Sequence, residues 1–326
     1  METKPPHVTV VVCTYNRALG LRDALDSLVE LQTREFAYDV LVVDNASTDS
    51  TPDVIREFTS RYPQKFRSVR EPKPGVSAAR NAGVRAAGGD WVAFFDDDQL
   101  ADRDWLAELM ALAARRNVSL AGGSVLLKLP YGTVRKPAGF CRVLLGETVG
   151  RNTEQPYTSK MAPGCGNMLV HTAVFQKVGL FDETLTTGGE DTDLYRRIRA
   201  AGYAGWFTPS ALVWHVIPAD RLEVDSLEWT ASRIGGHVAR RETRESGLAA
   251  RCLWTSIRMA QWLVAQGPKR LRARLKGDLE AVVAQRCWRR FLTAYLQTRL
   301  PVFSLLPKRM ATLDFRSRGA ALPAAH

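Results

Sequence analysis

The chain has 326 residues, of which 45% are hydrophobic, 24% charged and 9% aromatic, enough apolar material to bury a core and too much for a disordered polymer. Its 16 Pro and 24 Gly without a short repeat exclude collagen-like, coiled-coil and solenoid forms, and no apolar run reaches the ~18–20 residues of a spanning helix. The net charge of +11 is unevenly placed: residues 1–216 hold 25 Lys and Arg against 25 Asp and Glu, whereas residues 217–326 hold 20 against 9. A neutral globular region is therefore followed by a basic one suited to an anionic partner, either membrane phospholipid or nucleic acid.

The first residues, METKPPHVTVVVCTYNR, do not have the layout of a secretory signal, so a cytoplasmic location is expected, with the basic region allowing peripheral contact at the inner face of the cell membrane. From residue 8 to 127, β-branched runs alternate with segments of helical period, the pattern of an α/β domain with a mainly parallel sheet. Strands are expected at 8–13, 39–44, 66–69, 90–95 and 118–126. Leu21, Ala24, Leu25, Leu28 and Val29 recur at helical spacing, Thr51–Pro52 opens a second helix, and Ser77 is a candidate cap for a third over 78–87, closed by Gly88–Gly89. Residues 129–160, rich in Pro and Gly, are expected to form a variable loop over the sheet edge. Helices at 172–178 and 190–200 are followed by short strands at 203–207 and 212–215. The remainder reads as helical. The five cysteines, Cys13, Cys141, Cys165, Cys252 and Cys287, form no CxxC pair and suggest neither a disulfide framework nor a zinc site.

In an open α/β sheet, ligands bind beyond the carboxyl ends of the strands. Here strand one ends in Thr14-Tyr15-Asn16-Arg17, strand two in Asp44-Asn45-Ala46-Ser47, and strand four in Asp96-Asp97-Asp98. Three successive carboxylates after a buried strand call for a cation, and Asp96 with Asp98 suits a hard divalent ion that keeps positions open for phosphate oxygens; the bland alternative is an acidic solvated turn. The loop Gly164-Cys165-Gly166-Asn167 allows close backbone approach, but its GxG is too short for a dinucleotide fingerprint, and no Walker loop occurs.

Cys13-Thr-Tyr-Asn-Arg17, Val43-Asp-Asn-Ala-Ser47, Gly75-Val-Ser-Ala-Ala-Arg-Asn-Ala-Gly83, Phe94-Phe-Asp-Asp-Asp98, Gly189-Glu-Asp191 and His215, taken in order over about residues 8–216, resemble the family 2 glycosyltransferases, inverting metal-dependent enzymes of GT-A fold. The resemblance implies that Thr14, Tyr15, Arg17 and Asp44 contact the donor nucleotide, with Asp44 accepting from a uracil-type base. Arg80 and Asn81 would complete the base and ribose pocket, although Tyr15 could simply pack and Arg80 could pair with a neighbouring carboxylate. Asp96 and Asp97 would contact ribose or the metal's water shell, and Asp98, with Asp96 and His215, would hold Mn²⁺ or Mg²⁺. Asp191 would be the general base and Glu190 a hydrogen-bonding neighbour to the acceptor or donor sugar, while carboxylates at a helix amino terminus are also what the helix dipole alone favours. The implied substrates are a nucleotide-sugar donor, a UDP-sugar, and a glycan or lipid-linked acceptor in surface polysaccharide or lipid-linked glycan synthesis.

Two rival functions are a sugar-phosphate nucleotidyltransferase and a membrane- or nucleic-acid-binding protein on a degenerate transferase scaffold. The first needs a Gly-rich basic loop after strand one, which Cys13–Arg17 does not supply; the second is opposed by the joint presence of Asp96, Asp98, Asp191 and His215. The expected organisation is a catalytic domain over 1–216 and a helical basic region over 217–326. Within the latter, helical periods over 248–266 and 278–299 carry Arg beside aromatic residues, which suits either packing on the catalytic domain or an anionic membrane surface.

Overall fold

The computed structural model describes residues 5–159, 161–186, 188–265 and 272–300; residues 160, 266 and 301–326 of the expected loop, helix and basic region lie outside them. β1 (His7–Thr14) reads HVTVVVCT, too continuously apolar for a strand with one wet face, and Val8, Val10, Val11 and Val12 are all buried. Each such burial stabilises by about 1.5–3 kcal/mol before the opposing chain entropy. The chain continues through α1 (Ala18–Val29), β2 (Ala37–Asp44), α2 (Thr51–Arg61), β3 (Phe66–Arg70), α3 (Val76–Ala86) and β4 (Trp91–Asp96). The strands β3, β2, β1 and β4 lie side by side in that order and all parallel.

Beyond β4 the sheet becomes mixed. β5 (Gln99–Ala101), α4 (Trp105–Arg116), β6 (Leu120–Lys128), α5 (Phe140–Leu144), β7 (Gln155–Pro156), β8 (Asn167–His171), α6 (Thr172–Val178), α7 (Glu190–Ala200) and β9 (Gly205–Val216) follow. The order is β3-β2-β1-β4-β8-β6-β9-β5, with β7 on β9; β8 runs antiparallel to β4 and β6, and β5 and β7 antiparallel to β9. Side chains alternate between the two faces, so β1 feeds two cores. Val8, Val10 and Val12 meet Leu21 and Leu25 of α1, Phe58 of α2 and Trp105 of α4. Val11, with Leu41 and Val43, meets Ala79 of α3 and Leu194 and Ile198 of α7.

The sequence expectations differ from this architecture in three places. α3 begins at Val76 with Gly75 at its cap, and Ser77 is buried inside the first turn. Gly75 takes a φ of 134°, a conformation that glycine supplies and serine resists. The two short strands expected over 203–215 are one, β9, running through Pro209; β7 pairs at Trp206 and Phe207 and β5 at Val213 to His215, so neither ladder needs a donor from the proline. The expected loop over 129–160 contains α5 and β7.

The chain divides into two compact units, one formed by residues up to 126 with 150–216, the other by 127–149 with the residues from 217 on. The second unit contains α8 (Val224–Glu245), α9 (Leu248–Ala260), a π-helical turn at 261–265, and α10 (Leu279–Arg299). Leu227 and Ala231 of α8 pack with Cys141 and Leu144 of α5 and with Cys287, Phe291 and Leu292 of α10. Several of its arginines are structural: Arg286 and Arg290 hold Glu228 at 2.7 and 2.9 Å, and Arg299 holds Glu242 at 3.1 Å. Among the described residues no helix is long and apolar enough to cross a membrane.

Asn167 ties the mixed half of the sheet together. Its amide nitrogen donates to the Ser124 and Ala211 carbonyls, both at 2.9 Å, and its Oδ1 accepts from Trp105 Nε1 at 2.8 Å, all buried. An Asn167→Ala substitution orphans these groups and is expected to cost at least about 2 kcal/mol, read as a lower urea midpoint at unchanged slope. A change within about 0.5 kcal/mol, the range of a surface substitution, would contradict this role.

Candidate functional site

The loops after β1 and β2 are stitched to each other. Asn16 stands in the left-handed region at φ 48°, which asparagine tolerates, and its Oδ1 accepts from Thr48 N at 2.7 Å. Asn16 N donates to Ser47 Oγ at 3.0 Å, and Arg17 N to Thr51 Oγ1 at 2.9 Å. Asp44 faces Thr14 across the β1–β2 ladder; its Oδ1 accepts from Ser47 N at 2.9 Å and its Oδ2 lies 4.0 Å from Arg70 Nη1. Thr14 and Asp44 are buried, while the Tyr15 ring is 48% exposed and so is free to stack rather than locked in a core.

At the end of β4 the carboxylates meet two guanidiniums. Arg17 Nε lies 3.3 Å from Asp97 Oδ1, and Arg17 Nη1 donates to Asp98 Oδ2 at 3.0 Å. The same Asp98 oxygen is 3.3 Å from His215 Nε2, and Val216 N donates to the Asp98 carbonyl at 2.8 Å, so the end of β9 is pinned to this loop. Burial pushes the Asp97 carboxyl up to about 7, with Arg17 pulling it down and Asp98 pushing it further up. Arg80, on α3, is the second guanidinium: Nη1 donates to Glu190 Oε1 at 2.6 Å and Nη2 lies 3.6 Å from Asp96 Oδ1. The pairing that the sequence left open as an alternative for Arg80 is thus present.

α7 starts at Glu190 after Gly188 and Gly189, both at positive φ, so that Glu190, Asp191 and Asp193 occupy its first turn, where the helix dipole favours negative charge. Asp191 Oδ1 accepts from Thr192 N at 2.6 Å. Burial and the neighbouring Glu190 hold the Asp191 carboxyl above its ordinary range, with Arg80 opposing. Glu190 is buried, and its Oε2 has no hydrogen-bond partner among the described residues.

Other parts of the site are not visible in the motifs. Asn81 turns its amide to residues 181–183: Nδ2 donates to the Phe181 carbonyl at 3.0 Å and to Glu183 Oε1 at 2.8 Å, and Oδ1 accepts from Phe181 N at 2.8 Å. It therefore shapes the site through that loop, where Glu183 also meets Lys73 at 2.5 Å. Nothing in the spacing marks Glu183, since these contacts join segments about a hundred residues apart. Gly166 backs onto Asp96 so closely that a Cβ would collide with Asp96 Oδ2 and Gln99 Nε2, which explains the glycine in the loop after residue 163. Burial pushes the Cys13 thiol up to about 12 and the Cys165 thiol up as well, so both stay protonated beside Arg80.

The structure thus gathers Arg17, Arg80, Asp96, Asp97, Asp98, Glu190, Asp191 and His215 around one group of interacting charges, with Thr14, Tyr15 and Asp44 at the neighbouring strand ends. The three metal donors expected from sequence are not assembled as a set: Asp98 and His215 are adjacent, whereas Asp96 lies towards Arg80, and no group of three His, Cys, Asp or Glu side chains among the described residues is arranged to hold an ion. The site still suits a divalent cation, because five carboxylates face only two guanidiniums and Asp98 with His215 offers an oxygen and a nitrogen donor side by side.

The sequence profile described as glycosyl transferase family 2 matches residues 9–177, more than half of the chain. The chain belongs to this family of glycosyltransferases. It is 28% identical over 217 residues to the glycosyltransferase AglE of Haloferax volcanii, covering 66% of this chain and 68% of that one. It is 29% identical over 238 residues to the succinoglycan biosynthesis protein ExoM of Rhizobium meliloti, covering 72% and 73%. Among solved structures, the mannosyltransferase PcManGT of Pyrobaculum calidifontis, in complex with GDP-Man and Mn²⁺, superposes with a TM-score of 0.61 at 21% identity over 91% of this chain and 87% of that one, a likeness of fold.

The raised pKa of Asp191 has a consequence for stability. A folded-state pKa above the unfolded value means that the unfolded chain loses this proton first, so stability falls as pH rises from the ordinary carboxylate range through the folded pKa. Asp191→Asn removes that cost and is expected to raise the melting temperature at pH 7, with the gain shrinking as pH is lowered towards the carboxylate range. A variant less stable than the parent at pH 7 would contradict this.

Proposed function

We propose that the chain transfers a sugar from a nucleotide diphosphate donor, a UDP-sugar, to an acceptor hydroxyl in one metal-dependent displacement with inversion, in surface polysaccharide or lipid-linked glycan synthesis. The observation that carries this reading is Arg80, which joins Asp96 at the end of β4 to Glu190 at the start of α7 and so brings Asp191 to the strand-end carboxylates. The GDP-Man and Mn²⁺ of the solved neighbour and the succinoglycan pathway of the ExoM relative support the reaction class and its setting.

In this reading the acceptor oxygen bonds to the anomeric carbon as the bond from that carbon to the diphosphate breaks; the bonding pair leaves with the nucleoside diphosphate, and the acceptor proton goes to the Asp191 carboxylate. The Thr192 amide, 2.6 Å from Asp191 Oδ1, fixes the orientation of that carboxylate, and its raised pKa makes it a stronger base than a free aspartate. The unpartnered Glu190 Oε2 is available to a sugar hydroxyl. Asp98 and His215 would hold Mn²⁺ or Mg²⁺, which when bound would neutralise diphosphate charge. Thr14, Arg17, Asp44 and the exposed Tyr15 ring would line the nucleotide, with Asp44 accepting from the uracil imide, and Asp96 and Asp97 would lie towards the ribose.

The test is steady-state kinetics with UDP-sugars. Asp191→Asn is expected to lower kcat by about 10²–10⁴-fold with donor KM nearly unchanged. The parent's kcat falls on the acid side at a pH above the ordinary aspartate range, because the base is inactive once protonated, and the variant lacks this limb. Turnover unchanged in Asp191→Asn would remove it as the base.

A further inference from the structure

α9 inverts the usual pattern of a surface helix. Its charged side chains turn towards its own unit: the Arg258 guanidinium lies 5.9 Å over the Trp288 ring and 5.8 Å over those of Phe291 and Tyr295, and Arg251 Nε donates to the Ser246 carbonyl at 2.6 Å. Met259 and Trp262 pack with Tyr295 and Leu296, and Trp262 Nε1 donates to Thr293 Oγ1 at 3.0 Å. At helical spacing the opposite side carries Ala249, Cys252, Leu253, Ser256 and Ala260, continuing to Leu263 in the following turn, all of them exposed and none charged. No residue of α9 is buried, and Leu248, Leu253 and Leu263 are 75%, 59% and 64% exposed. By contrast α10 buries Val283, Cys287, Phe291, Leu292, Tyr295 and Leu296, so packing already accounts for that helix.

The segments that flank α9 in sequence are strongly cationic. The described residues 240–265 and 272–276 contain eight Lys and Arg against two acidic residues, Glu242 and Glu245, and Glu242 is engaged by Tyr295 and Arg299. Arg240, Arg244, Arg272, Arg274 and Lys276 are exposed, the last three beside the exposed Leu275 and Leu279. We infer that α9 docks on an anionic membrane surface, its uncharged face entering the boundary between headgroups and acyl chains while the flanking cations meet phosphate headgroups. Exposed leucines between cationic segments suit an apolar layer beneath a charged one, a pairing that nucleic acid does not offer. Two copies of this chain meeting through the same face would oppose two like-charged clusters. The inference concerns the second unit and stands apart from the transfer chemistry.

Co-sedimentation of the full chain with vesicles of phosphatidylcholine and phosphatidylglycerol, against phosphatidylcholine alone, tests it. The chain is expected to bind the anionic vesicles. Leu253→Glu with Leu263→Glu, and separately Arg272→Glu with Arg274→Glu, should each weaken binding by at least about tenfold at unchanged melting temperature. Four results would overturn the inference: no sedimentation with anionic vesicles, equal sedimentation of the parent and the leucine variant, a dimer in ultracentrifugation that the leucine variant dissolves, or binding of an oligonucleotide in preference to vesicles.

Discussion

A guanidinium with only a tenth of its surface exposed needs carboxylates around it, and Arg80 meets two that the chain places 94 residues apart, Asp96 and Glu190. Removing one partner from such a buried pair typically costs about 3–5 kcal/mol, because the survivor is left charged without compensation. The start of α7 is therefore tied to the end of β4, and with it Asp191, the unpartnered Glu190 Oε2 and the loop that Asn81 holds at Phe181 and Glu183. Gly166 makes room for this arrangement by letting the backbone pass against Asp96.

The same pairs set the electrostatics of the site. Arg17 answers Asp97 and Asp98, and Arg80 answers Asp96 and Glu190, but with Asp191 the carboxylates outnumber the two arginines by three. Burial, with repulsion from Asp98 and Glu190 added to it, holds the Asp97 and Asp191 carboxyls above the ordinary range. An anionic diphosphate entering such a site adds to the excess, and Asp98 beside His215 is where a divalent cation would relieve it. Because a carboxylate with a raised pKa is both a better base and a cost to the fold, the chemistry proposed for Asp191 and its effect on stability have one cause.

The parallel strands were legible because central strands are buried on both faces, and runs such as VTVVVC at β1 and VLVV in β2 have few alternatives. The polar residues after those strands were legible for the same reason, since an α/β sheet exposes its ligand positions there. Long-range pairing was not. Nothing local tells Arg80 to find Glu190, or Asn81 to find Phe181, because those choices are made by how α3 and α7 pack on one face of the sheet. The sequence reads two short strands on either side of Pro209, whose missing N–H interrupts a ladder locally, whereas β9 runs through it with β7 and β5 pairing on either side. The basic region was legible as charge but not as structure: apolar residues recur at helical spacing in both α9 and α10, yet α10 turns its apolar side chains inward and α9 leaves Leu248 and Leu253 exposed.

Isothermal calorimetry of UDP and GDP against the full chain, with Mn²⁺ and again with chelator, tests the charge balance most directly. Binding that appears with Mn²⁺, is stronger for UDP, and is lost on chelation is the expected result. Equal affinity in the presence of chelator would contradict it, because the site would then accept a diphosphate without the cation that its excess of carboxylates requires.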